Sequence, residues 1–289
     1  MKKLLIVPDV HVPFEDLTAW RLMLASCGPV DGVVLLGDTI DAYDASTHEK
    51  DVTKRVGIAY ELTRAKVRLS ELEGLLNKNK QTDLFYSTDE PRPTKARRLW
   101  WISGNHENRL ERALGRDHVT GLVAGYLQAG LLSKRSVLEA VGLDEAKWGW
   151  VEYGNTLYVG NRTDKRLLAL THDLGPAGAT AHVDALRTTG TNCVIGHTHR
   201  AGSTVLGVGG VGGKSIQGAM LGWLGDADEA RYASRTRTAR EWSLGYGLAY
   251  VPPTGEQAYI VPVPIKRSPG GWYSCVVNGA EHKLKRKWG

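Results

Sequence analysis

The most constraining feature of the sequence is a series of five short apolar runs, each ending directly in polar side chains. The runs, which include residues 4–8 and 33–36, are too short for helices and are bounded by turn residues, so they are predicted to be buried strands. Polar segments follow them at residues 9–11, 37–41, 104–107, 172–173 and 196–199. Loops at the strand ends of an α/β sheet converge on one rim, so we expect these side chains to lie together.

The side chains in these polar segments are of the kinds that bind metal ions. The motifs read D-x-H, G-D-x-x-D, G-N-H-E, a single histidine and G-H-x-H. Oxygen and imidazole donors without thiolate suit Mn, Fe or Zn better than a soft metal or a purely Ca²⁺ site. An aspartate between two cations can bridge them, as in two-metal hydrolases. Any one of these motifs occurs by chance, but five in order, each after a strand, indicate a metal site.

Apolar periodicity between the motifs predicts alternating strands and helices up to residue 200. The predicted helices cover residues 15–26, 56–76, 107–114, 119–132 and 176–188, further strands cover 98–102, 167–171 and 192–195, and a loop covers 77–94. Beyond residue 200, clustered glycines and alternation predict a β-rich portion. The sequence shows neither an internal repeat nor a low-complexity linker. We therefore expect a single domain over residues 1–289, with the motif core in 1–200, a β-rich portion in 201–289 and an insert at 221–242.

The five motifs resemble those of the calcineurin-like metallophosphoesterase superfamily. All five blocks are present without substitution between Asp9 and His199. The G-N-H-E-x-R-L block and the aromatic-rich C-terminal region are also similar to phage-encoded members. The resemblance implies an α/β fold with a two-sheet β-sandwich core flanked by helices, in four layers.

The resemblance also implies a role for each site residue. The expected metal ligands are Asp9, His11 and His199 for one ion, Asn105, His172 and His197 for the other, and Asp38 as the bridge between them. His106 would be the catalytic histidine near the leaving-group oxygen, and Asp41 would orient its ring. The implied cofactors are two divalent ions, Mn first, with Fe, Zn, Ni and Mg as alternatives.

Arg109 admits two interpretations. In the first turn of the predicted helix its guanidinium would clamp a phosphate bidentately. Alternatively, it is a surface arginine that pairs with Glu111. His48 follows the G-D-x-x-D loop and either reaches the rim of the site or, as we favour, is a solvent-exposed residue. His118 and His182 are interpreted as surface residues.

The segment 221–242 also has two interpretations. Its tryptophans and arginines would stack the bases and follow the phosphates of a nucleic acid. Alternatively, because its acidic residues bring the net charge of the segment to zero, it is a solvated loop or helix whose tryptophans pack on the core.

Charge and cysteine usage bear on partners and compartment. The net charge of +6 and the basic stretches at 92–116 and 266–287 are compatible with an anionic substrate. No apolar run approaches the roughly 20 residues of a membrane span. The three cysteines contain no C-x-x-C pair, which favours a cytoplasmic protein, in the host cytoplasm if the chain is phage-encoded. The sequence does not indicate an oligomeric state.

Three functions remain open at this point. The first is a phosphodiesterase, such as a nuclease, that acts on nucleotides or nucleic acid. The second is a phosphomonoesterase or protein phosphatase, because a monoester presents the same phosphoryl group to the same metals. The third is a non-catalytic nucleic-acid-binding module on a degenerate phosphoesterase scaffold. The presence of all seven expected ligands, together with His106 and Asp41, argues against the third.

Overall fold

The computed structural model describes residues 1–45, 57–77, 85–87, 97–114, 137–161, 164, 166–175, 177–209, 213–230, 237–254 and 257–286. The first sheet contains, in spatial order, β12 (Tyr259–Pro264), β11 (Gly245–Val251), β1 (Lys2–Val7), β2 (Gly32–Leu35), β4 (Leu99–Ile102) and β5 (Trp148–Val151). The second contains β3 (Phe85–Ser87), β6 (Leu157–Val159), β7 (Leu168–Thr171), β8 (Asn192–Ile195), β10 (Lys214–Leu221) and β9 (Ala201–Val208). A smaller sheet contains β13 (Lys266–Ser268), β14 (Trp272–Val277) and β15 (Ala280–Lys285).

The described helices lie outside the two large sheets. They are α1 (Leu17–Cys27), α2 (Ile58–Glu73), α3 (Asn105–Leu114), α4 (Val137–Val141) and α5 (Ala181–Thr189), with 3-10 turns at Tyr43–Ala45 and Arg237–Glu241. Asp16 caps α1, since its side chain accepts hydrogen bonds from the backbone N–H groups of Thr18 and Ala19.

Alternation of side chains along the strands produces the layers. In β1, Leu5 and Val7 point to the side covered by α1 and α2, whereas Leu4 and Ile6 point into the space between the two sheets. The second sheet contributes to that inter-sheet core, and its other face packs against α5. The layers therefore follow the order helix, sheet, sheet, helix. This confirms the predicted two-sheet β-sandwich core flanked by helices.

The central strands of both sheets run parallel, and this direction positions the site. β1 is parallel to β2, β2 to β4, and β7 to β8. Parallel neighbours end at the same edge of a sheet. All five strands that precede a motif are parallel to a neighbour that also precedes one, so the motifs gather at two adjacent sheet edges.

Several predicted boundaries differ from the structure. The loop predicted over 77–94 is wrong at Phe85–Ser87, which forms the edge strand β3. The last predicted helix starts later, at Ala181 instead of 176. Helix α3 starts earlier, at Asn105 instead of 107, so Arg109 lies in its second turn and not its first. The helix predicted over 119–132 lies outside the described residues.

The C-terminal portion is built into both sheets. β10 pairs with β8, and β11 pairs with β1 over the register Lys2↔Val251 to Ile6↔Gly247. Residues beyond 200 therefore supply strands next to the two strands that lead to Asp9 and His197. A single domain over 1–289 stays a prediction. None of the helices in the described residues is long and apolar enough to cross a membrane.

Candidate dimetal site

One group of buried side chains gathers where the loops after β1, β2 and β8 meet. Asp9, His11, Asp38 and His199 each place a donor atom within 4.8 Å of the others. His11 Nε2 lies 3.0 Å from His199 Nε2, and His199 Nε2 lies 3.4 Å from Asp9 Oδ1. All four side chains are buried. The group contains the three residues expected for one metal ion together with the expected bridge.

A second group lies on the other side of Asp38. His172 and His197 bring donor atoms within 4.8 Å of each other and of Asp38. The amide oxygen of Asn105 lies between them, 3.0 Å from His172 Nε2 and 2.9 Å from His197 Nδ1. These are the three residues expected for the other ion.

Asp38 belongs to both groups. Its Oδ2 lies 3.4 Å from His172 Nε2 and 3.9 Å from His11 Nε2. One carboxylate oxygen thus faces an imidazole from each group, which is the geometry that a bridging aspartate requires. Its other oxygen, Oδ1, accepts a hydrogen bond of 2.9 Å from the backbone N–H of His106.

The backbone at the site is held in an uncommon conformation. Of the six non-glycine residues with positive φ among those described, four are expected ligands: His11, Asp38, His197 and His199. Left-handed conformations at such residues cost free energy and cluster at functional sites. The loops are locked by backbone bonds, such as that of 2.9 Å from His11 N to Asp38 O. The fold therefore orients these side chains at the expense of local backbone energy.

Glycines leave room for the ligands. A Cβ at Gly104 would collide with the Asp38 side chain, and a Cβ at Gly37 would lie 2.6 Å from His172 Nδ1. Gly37 also has a φ of +98°, which disfavours any other residue. The glycines of G-D-x-x-D and G-N-H-E are thus required by the close approach of the second and third motifs.

Glu107 joins those two motifs, a role that the sequence did not reveal. Its buried carboxylate accepts backbone hydrogen bonds from Asp38 (2.9 Å), Thr39 (2.7 Å), Ile40 (3.1 Å) and Gly104 (2.8 Å). Four N–H donors fix the loop that carries Asp38 relative to the start of α3. The only sequence signal was the position of Glu107 inside the G-N-H-E block.

The expected ligands differ in their protonation. Burial raises the pKa of Asp38, but His172 and His106 outweigh it and hold that pKa well below its usual range. Burial lowers the pKa of His11 and of His197, so both are neutral donors near pH 7. Burial also acts to lower the pKa of His172, but Asp38 overrides it and raises that pKa to about 10. A cation that binds at His172 therefore has to displace a proton.

The donor set fits two metal ions by an independent criterion. Asp9 Oδ2 is buried and makes no hydrogen bond among the described residues. The ring nitrogens Nδ1 of His11 and His172 are engaged by Asp41 Oδ1 (3.0 Å) and Leu36 O (2.8 Å). Each ring thereby directs Nε2 into the cluster, which is the usual arrangement of metal-binding histidines. The described residues thus bring together the seven expected ligands in the two groups that the sequence motifs predicted.

The comparison with known proteins finds weak structural similarities. No family model and no curated protein matches the sequence. Similar solved structures include a metallophosphoesterase from Sphaerobacter thermophilus, at 16% identity over 86% of this chain and 82% of that chain, with a TM-score of 0.38. Vps29 from Chaetomium thermophilum has 9% identity, coverage of 98% and 97% and a TM-score of 0.42. A single mutant of Vps29 from Entamoeba histolytica has 13% identity, coverage of 99% and 99% and a TM-score of 0.36. These values transfer no activity or ligand to this chain.

His106 and Asp41 lie beside the cluster, but their contact differs in detail from the expectation. His106 Nδ1 is 2.6 Å from the backbone carbonyl of Asp41 and 3.4 Å from its carboxylate. The same carboxylate is closer to His11, at 3.0 Å. The carboxylate of Asp41 therefore positions His11, an expected ligand, whereas His106 is held mainly by the Asp41 main-chain carbonyl. His106 Nε2 faces the cluster, 3.9 Å from Asp38 Oδ2.

The structure also places Arg109 and one of the three further histidines. Arg109 is partly buried in α3, and its guanidinium has no hydrogen-bond partner among the residues that the structure describes. His182 is not a surface residue, because it is only 5% exposed and its Nε2 lies 2.8 Å from Thr204 Oγ1. His48 and His118 lie outside the described residues.

Two tryptophans pack around His199. Trp223 stacks on its ring with centroids 4.8 Å apart and planes inclined by 14°. Trp242 meets the same ring almost perpendicularly, at 4.4 Å and 78°. The interpretation that the tryptophans of 221–242 pack on the core thus holds for Trp223, which is buried. Residues 231–236 of this segment lie outside the described part of the chain.

Proposed function

We propose that the chain is a dimetal phosphodiesterase that hydrolyses phosphodiester bonds of nucleotides or nucleic acid. The observation that carries this proposal is the pair of buried donor groups that share Asp38, with His106 directly beside the shared residue. Divalent ions held by these residues would polarise the phosphoryl group and lower the pKa of a water molecule at the site. Mn is the first candidate, with Fe, Zn, Ni and Mg as alternatives.

The residues of the chain would perform the remaining tasks. His106 is held through Nδ1 by the Asp41 carbonyl, so its Nε2 is free to carry a proton to the leaving-group oxygen. The nearby Asp41 carboxylate would stabilise the protonated ring. Glu107 would keep His106 and Asp38 in a fixed relation through its four backbone hydrogen bonds. Arg109, on the same helix, would bind a non-bridging phosphate oxygen.

A diester of a nucleotide is favoured over other phosphoesters by two features. The chain is basic, with a net charge of +6. A histidine placed to donate a proton assists the departure of an alkoxide, the poor leaving group of a nucleotide diester. The phosphomonoesterase or protein phosphatase alternative uses the same groups and is separated by substrate preference. The phage origin and the cytoplasmic location stay predictions. The three cysteines form no disulfide with one another and are buried.

The test is turnover by protein stripped of metal and reloaded with each candidate ion. We expect hydrolysis of bis(p-nitrophenyl) phosphate with Mn, at a rate well above that of p-nitrophenyl phosphate. The Asp38→Asn variant, which lacks the bridging charge, should be inactive on both. A marked preference for the monoester would replace the proposal with the phosphatase alternative, and the absence of turnover with every metal would favour the binding module.

A further inference from the structure

We infer that Trp242 is the surface on which a nucleobase of the substrate stacks. The inference rests on the proposed function and specifies its substrate: a phosphodiester with an aromatic base on the side of Asp9, His11 and His199. It follows from the position of one partly exposed tryptophan relative to a metal-binding histidine.

The first observation is the order of three rings from the interior outwards. Trp223 is 2% exposed and lies nearly parallel to His199, which is 6% exposed. Trp242 contacts both rings, at 4.4 Å from His199 and 4.9 Å from Trp223, and is inclined to them by 78° and 66°. Unlike the other two, Trp242 is only partly buried. Of the three, Trp242 is therefore the ring that is partly exposed to solvent.

The second observation is that Trp242 is fixed relative to the site. The backbone N–H of Ser243 donates to the carbonyl of His199 at 2.9 Å, and that of Trp223 donates to the carbonyl of Ser243 at 2.9 Å. Arg200 Nε forms an ion pair of 2.6 Å with Glu241 Oε2. The residues on both sides of Trp242 are thus tied to the chain around His199. A platform that does not move loses little entropy when a ligand binds.

The third observation concerns scale and charge. In a nucleotide, one sugar separates the base from the phosphorus, and here one imidazole ring separates Trp242 from the donor groups of the first cluster. Arg240, two residues before Trp242, is exposed. A planar aromatic surface beside a cation, next to a phosphoester site, suits a nucleobase followed by its phosphate.

The experiment compares two diesters that share one leaving group. Thymidine 5′-(p-nitrophenyl phosphate) carries a base, and methyl p-nitrophenyl phosphate does not. Stacking of one base on an aromatic side chain contributes about 1–3 kcal/mol, and 1.4 kcal/mol is tenfold in affinity. We therefore expect Trp242→Ala to raise KM for the thymidine diester about 10-fold more than it raises KM for the methyl diester. Trp242→Phe should retain most of the effect.

The control is Trp272→Ala on β14, since Trp272 is exposed on the small sheet. It should alter neither substrate. If Trp242→Ala impairs both diesters equally, Trp242 supports His199 and binds no base, and the inference is wrong. If it impairs neither, the inference is also wrong.

A binding measurement separates this inference from the proposed function. Calorimetry with thymidine 5′-monophosphate and with inorganic phosphate, both in the presence of Mn, requires no turnover. Weaker binding of the nucleotide alone in Trp242→Ala supports the stacking surface even if no diester is hydrolysed. Equal binding of the nucleotide by both proteins overturns it even if diesters are hydrolysed.

Discussion

At the residue scale, the two side chains next to the ligands have separable roles. His106 contacts the cluster through a ring nitrogen 3.9 Å from Asp38, whereas Asp41 engages His11 directly. Removing the first should affect proton transfer, and removing the second should affect metal binding. Their variants therefore form a pair that distinguishes catalysis from assembly.

His106→Ala should lower kcat by roughly 100-fold or more, in line with the contribution of general acid–base catalysis. Metal content, measured by elemental analysis, should be unchanged, because no expected ligand is lost. His282→Ala, on β15, is the matched control and should retain full activity. Loss of a metal ion in His106→Ala would show that His106 is a ligand.

Asp41→Asn should behave differently, because it removes the charge that orients His11. Loss of such a supporting carboxylate typically costs 10–100-fold in metal affinity or activity. We expect Mn affinity, measured by calorimetry, to fall within that range, together with kcat. Unaltered affinity alongside a reduced rate would show that the Asp41 carboxylate acts on His106 alone and not on His11.

The spatial grouping of the expected ligands was predictable from sequence, because each follows a strand and belongs to a motif. The roles of Glu107 and Trp223 were not. Glu107 acts on four backbone N–H groups, and main-chain partners leave no side-chain pattern in a sequence. Trp223 is close to His199 only through the tertiary fold.

At the scale of elements, helix α2 contains a buried acid that the site does not use. Glu61 is 0% exposed, and its Oε1 accepts a 3.1 Å hydrogen bond from the backbone of Tyr43. Its Oε2 has no partner among the described residues. Burial, and then Asp41, raise the pKa of Glu61 well above its ordinary value. The folded chain is therefore more stable when the Glu61 side chain is protonated than when it is ionised.

The consequence is a pH dependence of stability. Between the pKa of the unfolded chain, about 4.3, and the higher pKa of the folded chain, the native state binds more protons. Its free energy of unfolding therefore falls as pH rises through this window. Glu61→Gln keeps the acceptor for Tyr43 without the charge, so it should melt above the wild type at pH 8 and near it at pH 5. The same melting difference at both values would show that Glu61 does not titrate in this range.

The elements themselves were predicted unevenly. Strong runs such as β8, and the amphipathic α2 with Leu62, Ala65, Leu69 and Leu72 buried, appear where periodicity placed them. The three-residue strands β3 and β6 were missed, because three residues hold too little alternation to identify a strand. Within the described part of the chain, β3 pairs with β6, and β6 also pairs with β7, so the fold and not the local sequence specifies these two strands.

At the scale of the molecule, the candidate metal site connects the two large sheets. Asp9, His11 and Asp38 follow strands of the first sheet, whereas His172, His197 and His199 follow strands of the second. Bound ions would thus be held by both sheets. This linkage should be visible in the stability of the whole chain.

Removal of metal by chelation should lower Tm, and added Mn should restore it. An ion at 100 times its Kd stabilises by about 2.7 kcal/mol, and each 1 kcal/mol shifts Tm by about 2–4 °C in a chain of this size. We expect a change of roughly 5–10 °C by calorimetry, and none for Asp38→Ala. An equal Tm with and without metal in the wild type would mean that the ions do not connect the sheets.

The pairing of β1 with β11 has a consequence for biosynthesis. The strand that leads to Asp9 leaves the ribosome early, whereas its antiparallel partner is translated much later. Until then one edge of β1 exposes unpaired N–H and C=O groups, which are open to wrong partners. Pairing over such a sequence separation is slow, because a long loop has to close first. The nascent chain would therefore depend on protection until β11 emerges. An arrest of translation between His199 and β11 would yield a product that contains every expected ligand but lacks the strand that holds β1, and with it Asp9, in place.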